Sequence, residues 1–205
     1  MIRIIFLYVF MMSLCACSEQ RSSNREGEFR LFDGESTQLF LMPKGLKVEQ
    51  NMQSLLFFRV QYPTMSARDP QGVPQGDEIS VLISLADHPG STEFLVQQAA
   101  EKIDLSRPGQ VYRDGKEGEF EIFRGDLDKL SLLPQDVTYV FRDDDGELVG
   151  IEDPGSWSHA YSVRRKIGSK IHVRYLIAKP LGRDFKRIDK TVKDFILKHA
   201  KDGIQ

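Results

Sequence analysis

Three short stretches of this 205-residue chain hold residue types able to do chemistry: Cys15 and Cys17 one residue apart, the acidic run Asp143-Asp144-Asp145-Gly146-Glu147, and Asp153-Pro154-Gly155-Ser156-Trp157-Ser158-His159. A Cys-x-Cys pair can ligate a metal, but a tetrahedral thiolate site needs four ligands and the chain has two cysteines. Aligned with a calcium loop so that Gly146 makes the sharp turn, Asp143, Asp145 and Glu152 fall on ligand positions, while the indispensable first position is Phe141. A hairpin explains the same residues: a loop of Asp144, Asp145 and a left-handed Gly146 aligns Tyr139 and Phe141 on one face with Val149 and Ile151. Ser156 or Ser158 with His159 has the residue types of a hydrolase, yet triad members meet by folding and not by adjacency. No Gly-x-Ser-x-Gly elbow, His-Glu-x-x-His helix or glycine-rich phosphate loop accompanies them, and a Pro-Gly turn leading into a strand is the simpler reading. His88 lies in a turn and His199 on a helical packing stripe, with no second histidine at metal spacing. No catalytic residue, cofactor or metal ligand is assigned from the sequence.

The context of the cysteines gives them a different use. Met1 to Arg3 is a short positive start, and Ile4 to Leu14 is an apolar run below the ~20 residues of a membrane-spanning helix. Leu14-Cys15-Ala16-Cys17 then resembles the bacterial lipobox, a bulky aliphatic residue and two small residues before the cysteine that is lipidated; Ala or Ser is commoner where Cys15 stands. The resemblance implies a signal peptide over 1–16, palmitate-type acylation of Cys17, and a mature chain with neither free thiol nor disulfide. Ser18 after the acylated cysteine implies, under enterobacterial-type sorting, the periplasmic face of the outer membrane; a Gram-positive source would instead place the protein on the outer face of the plasma membrane. Residues 17–27 read as a polar tether, with a root-mean-square reach of ~17 Å and a maximum of ~35 Å.

Residues 28–205 are expected to form a single domain, with 40% hydrophobic residues and thirteen phenylalanines to build its core. Alternating or apolar runs predict strands near Glu28–Phe32, Thr37–Met42, Ser54–Tyr62, Ile79–Ala86, Gln110–Arg113, Glu119–Arg124, Val137–Arg142, Glu147–Ile151, Trp157–Lys166 and Lys170–Ala178. Helical period appears in Ser91–Ile103 and in Arg183–Lys201, where Phe185, Ile188, Val192, Phe195, Ile196 and His199 form one stripe. The expectation is an α+β domain, a mainly antiparallel sheet with two packed helices.

The charge is two-sided along the chain: residues 157–201 carry thirteen Lys/Arg against three Asp, and residues 17–156 fourteen Lys/Arg against twenty-six Asp/Glu. If Tyr161 and Val163 share a face with Val173 and Tyr175, then Arg164, Lys166, His172 and Arg174 project from the other face of that hairpin. Either this is a solvated surface neutralised within the fold, or it binds an acidic protein or anionic head groups. The proline-rich stretch Pro63–Glu78, with Arg68 and Asp69 at its middle, is a second candidate surface. The expected partners are the membrane, through Cys17, and a protein with an acidic surface; nucleic acid is not among them. Immunity lipoproteins, which protect bacteria from their own secreted antibacterial effectors, are similar in gross plan: lipobox, polar tether, one small domain. That resemblance implies a protein-binding module, against the alternatives of an envelope-assembly lipoprotein or a hydrolase using Ser156 or Ser158 with His159.

Overall fold

The computed structural model describes residues 27–67, 76–85, 96, 111–125 and 137–201. Its strands are β1 (Glu28–Phe32), β2 (Thr37–Leu41), β3 (Val48–Met52), β4 (Leu55–Gln61), β5 (Ser66–Ala67), β6 (Glu78–Ser84), β7 (Val111–Glu117), β8 (Phe120–Gly125), β9 (Val137–Arg142), β10 (Leu148–Asp153), β11 (Ala160–Ile167), β12 (Ile171–Ala178) and β13 (Ala200–Lys201). One helix, α1 (Phe185–His199), and two short 3-10 turns, Gly155–Trp157 and Lys179–Leu181, complete the described elements.

Two antiparallel sheets result. The large one runs β3-β4-β6-β12-β11-β10-β9-β8-β7, with β5 beside β4, and the small one runs β1-β2-β13. The last hairpin is the hinge of this topology. β12 pairs with β6 over Ile177↔Ile79 to His172↔Ser84, and β11 pairs with β10 over Val149↔Arg165 to Glu152↔Ser162. The hairpin therefore joins the N-terminal meander to the one that precedes it in the chain.

Alternation along each strand decides what lies inside. Leu56, Phe58 and Val60 of β4, Ile79, Val81 and Ile83 of β6, Tyr161, Val163 and Ile167 of β11, and Ile171, Val173, Tyr175 and Ile177 of β12 are all buried. The stripe Phe185, Ile188, Val192, Phe195, Ile196 lays α1 on this face. Phe195 meets Phe58 at 5.8 Å between ring centroids, and Phe185 meets Tyr161 at 4.9 Å and Tyr139 at 6.4 Å, so the helix spans the sheet from β4 to β9.

The expected pair of packed helices is corrected. Among the described residues the domain is mostly antiparallel sheet, and α1 is the one helix packed on it. Of Ser91–Ile103 only Val96 is described; the rest of that expected helix lies outside the described residues. The small sheet supplies further cover: Leu31 of β1 and Phe40 of β2, both fully buried, belong to the same core. β3, β5 and β13 were not expected. β3 is the polar segment VEQNM, whose strand geometry comes from its bonds to β4 at Val48↔Phe58, Glu49↔Phe57 and Met52↔Leu55, and not from any propensity of its own.

Candidate functional site

Consecutive residues of β11 point to opposite sides of the sheet, and this divides two arginines between two environments. Arg165 faces the core between Val163 and Ile167, and its side chain has no exposed surface. Its Nη1 donates to Asp189 Oδ2 of α1 at 2.5 Å, and its Nη2 donates to Asp143 Oδ2 and Glu147 Oε2, each at 2.6 Å. The Tyr175 hydroxyl of β12 donates to the other Asp189 oxygen at 2.7 Å. Lys193, one helical turn after Asp189, donates to Asp143 Oδ2 at 2.6 Å and Asp145 Oδ2 at 2.5 Å, and its Nζ lies 3.3 Å from Glu147 Oε2.

The acidic run is the hairpin turn that the spacing predicts. Gly146 has φ +80°, the Asp143 N–H donates to the Glu147 carbonyl at 3.0 Å, and the register sets Phe141 opposite Val149 and Tyr139 opposite Ile151. Asp143 Oδ1 accepts the N–H groups of Asp145 and Glu147, and Glu147 Oε1 accepts the N–H of Gly168. The turn's carboxylates are thus aimed at cations and amides of the chain. Glu152 lies apart from them, on the opposite face, paired with Arg164 at 2.9 Å.

Burial and charge work against each other throughout the cluster. Burial alone would raise the Asp143 carboxyl, but hydrogen bonds from Lys193 and Arg165, together with the charge of Arg165, outweigh it and hold the group at about 2. Burial pushes Asp189 up, and the opposing pull of Arg165 and the Tyr175 hydroxyl does not fully reverse it. Tyr175 is raised well above its ordinary value, first by burial and then by the adjacent Asp189 charge. Arg165 and Lys193 lose to burial but gain more from the carboxylates, so both remain firmly cationic. Among the described residues Arg165 Nε has no hydrogen-bond partner. The arrangement acts as a latch that ties the β9–β10 turn to α1, with an open groove of about 320 Å³ outside it, bordered by Phe141, Lys186, Lys190 and Leu197.

The sequence left this cluster unnoticed, although signals were present. Arg165 interrupts the apolar set Tyr161, Val163, Ile167, and Asp189 and Lys193 fall inside the apolar stripe of α1 at the i, i+4 spacing.

Arg164, Lys166, His172 and Arg174 lie together on the opposite sheet face, with Arg164 directly across from Arg174 and Lys166 across from His172. Arg174 is exposed, and its Nε donates to the Ser162 hydroxyl at 3.2 Å. Much of the remaining basic charge is met by acids from earlier in the chain: Lys186 by Glu119, Lys179 by Asp153, and Arg183 by Glu117 and Asp153. Ser156 and His159 are exposed, the Ser158 hydroxyl bonds the Ala160 backbone, and no hydrogen bond joins either serine to His159 among the described residues. Cys17, with the whole signal and tether up to residue 26, and Arg68 and Asp69 lie outside the described residues.

No protein-family model matches the chain, and no curated protein matches it. Among solved structures the chain is similar to Smlt3025, an immunity protein of the Stenotrophomonas maltophilia type IV secretion system, with a TM-score of 0.57 and 14% sequence identity. The match covers 86% of this chain and 94% of that one. At this identity the likeness is one of fold: the two chains share a sheet-rich architecture over nearly their full lengths.

Proposed function

We propose that this chain is a membrane-anchored immunity protein, a binding module that neutralises a secreted antibacterial effector in the periplasm. The observation that carries the reading is the shared fold with a secretion-system immunity protein over 86% of the chain. The lipobox at Leu14-Cys15-Ala16-Cys17 supports the anchor, with Cys17 as the acylated residue and the outer membrane's periplasmic face as its place. The basic sheet face of Arg164, Lys166, His172 and Arg174 is the favoured contact surface for a partner with acidic groups, and the stretch around Arg68 and Asp69 is the second.

The test is a co-culture. Deleting the gene from the native strain should make it sensitive to secretion-competent siblings, and the full-length protein supplied from a plasmid should restore survival. Sensitivity that appears without attackers would instead indicate envelope assembly and would overturn the proposal, as would undiminished survival of the deletion strain. Cys17→Ala should move the protein from the membrane to the soluble fraction, because the chain then has no acyl group to bury in the bilayer; a variant that remains in the membrane pellet as a processed species would refute the anchor.

A further inference from the structure

On the sheet face away from α1, one cross-strand pair departs from the ordinary rule for sheets. Arg164 and Arg174 stand directly opposite each other, and like charges so placed are destabilising. Glu152 offsets Arg164 at 2.9 Å. Arg174 has only the Ser162 hydroxyl on its Nε, and no carboxylate among the described residues reaches it. Two residues further along the same face, Leu176 is 42% exposed although β12 has a strand on either side. Its cross-strand neighbours are Ser162 and Ser80, whose short side chains leave it uncovered. Leu82, opposite Arg174, and Phe57, opposite Leu82, extend this apolar surface diagonally across β6 and β4. Arg59 closes its far side, with its guanidinium carbon 5.6 Å from the centre of the Phe57 ring.

An apolar band, Phe57–Leu82–Leu176, thus runs between two guanidinium groups. A sheet face that only meets water has no need of an exposed leucine beside an arginine that lacks a counter-charge among the described residues, and departures of this kind mark functional surfaces. We infer that this band is where the effector docks, and that the occupant is an effector segment carrying an aspartate or glutamate next to an apolar side chain. The carboxylate accepts from the terminal amino groups of Arg174 in the two-pronged geometry that a guanidinium offers and an ammonium does not, and the apolar side chain covers Leu176 and Leu82. The incoming charge also relieves the repulsion between Arg164 and Arg174. Arginine is among the residues enriched at the energetic centres of interfaces. This inference rests on the immunity reading above.

The experiment complements the deletion strain with full-length variants and exposes it to secretion-competent siblings. Arg174→Glu and Leu176→Asp should each lower survival by about tenfold or more, with Arg174→Lys intermediate. Lys190→Glu, the same charge reversal on α1 with a side chain 65% exposed, should protect as wild type does. Thermal melting and immunoblots check that each variant is folded and present; should Arg174→Glu be depleted, Arg174→Gln and Leu176→Asn decide in its place. Full protection by a folded Arg174 or Leu176 variant overturns the docking site while leaving the immunity reading intact. Equal loss with Lys190→Glu also overturns it, since net charge would then suffice. A deletion strain as resistant as its parent removes both. Sedimentation supplies the remaining arm: a dimer of wild-type protein that Arg174→Glu splits would make this face a self-interface and refute the effector assignment.

Discussion

Arg164 and Arg165 are neighbours in the chain with identical side chains, and the fold treats them in opposite ways. Arg165 turns inward and is held by three carboxylates with none of its side chain exposed; Arg164 turns outward, shares Glu152, and keeps 32% of its side chain exposed. The difference shows that the worth of a charge here is set by the dielectric around it and by the number of groups that depend on it. Removing an inward arginine strands Asp143, Glu147 and Asp189 without their common partner, whereas an outward one loses an interaction with which water already competes.

The sharpest way to break the comparison is to truncate each arginine. Arg165→Ala should destabilise the domain by about 3–5 kcal/mol in urea unfolding, and Arg164→Ala by less than about 1 kcal/mol. Equal costs would mean that burial does not distinguish the two sites. Next in size is the apolar seam beside the latch: Phe185→Ala, at the start of α1 against Tyr161 and Tyr139, should cost about 3 kcal/mol. Leu176→Ala on the outward face should cost under about 1 kcal/mol, because much of that side chain already meets water.

Acid provides a finer test of the latch. The native Asp143 group titrates at about 2, below the ordinary 3.8, so its stabilisation is complete above about pH 4 and is lost as the pH falls through 2. The contribution is on the order of 2 kcal/mol. Asp143→Asn should lower stability at neutral pH and flatten the decline between pH 4 and 2, as measured by denaturant midpoints across that range. A variant as acid-sensitive as the wild type would place the acid-labile group elsewhere. The smallest expected effect is that of Arg174→Gln, within about 0.5 kcal/mol of wild type, since Arg174 is an exposed residue with a single long side-chain hydrogen bond, 3.2 Å to the Ser162 hydroxyl.

Local geometry made much of the molecule legible from the chain alone. The two-residue period of β4, β6, β9, β10, β11 and β12, the left-handed glycine of the 144–146 turn and the apolar stripe of α1 are properties of adjacent residues, and they appear in the structure where the spacing puts them. The side of the sheet on which Arg164, Lys166, His172 and Arg174 lie follows from the same alternation. The tertiary structure decided what that period cannot carry. Arg165, Asp189, Tyr175 and Lys193 come from three different elements and acquire meaning only when β11, β12 and α1 are stacked against the acidic turn. β3 and β13 are strands because paired neighbours satisfy their backbones, and Phe40 and Leu31 share with α1 the covering of the core because the small sheet is folded against it. Hydrogen bonds and burial between residues far apart in the chain leave no periodic mark on it, so beyond the acidic turn itself the traces of the latch in the sequence were charged residues within apolar sets, Arg165 in β11 and Asp189 and Lys193 in α1.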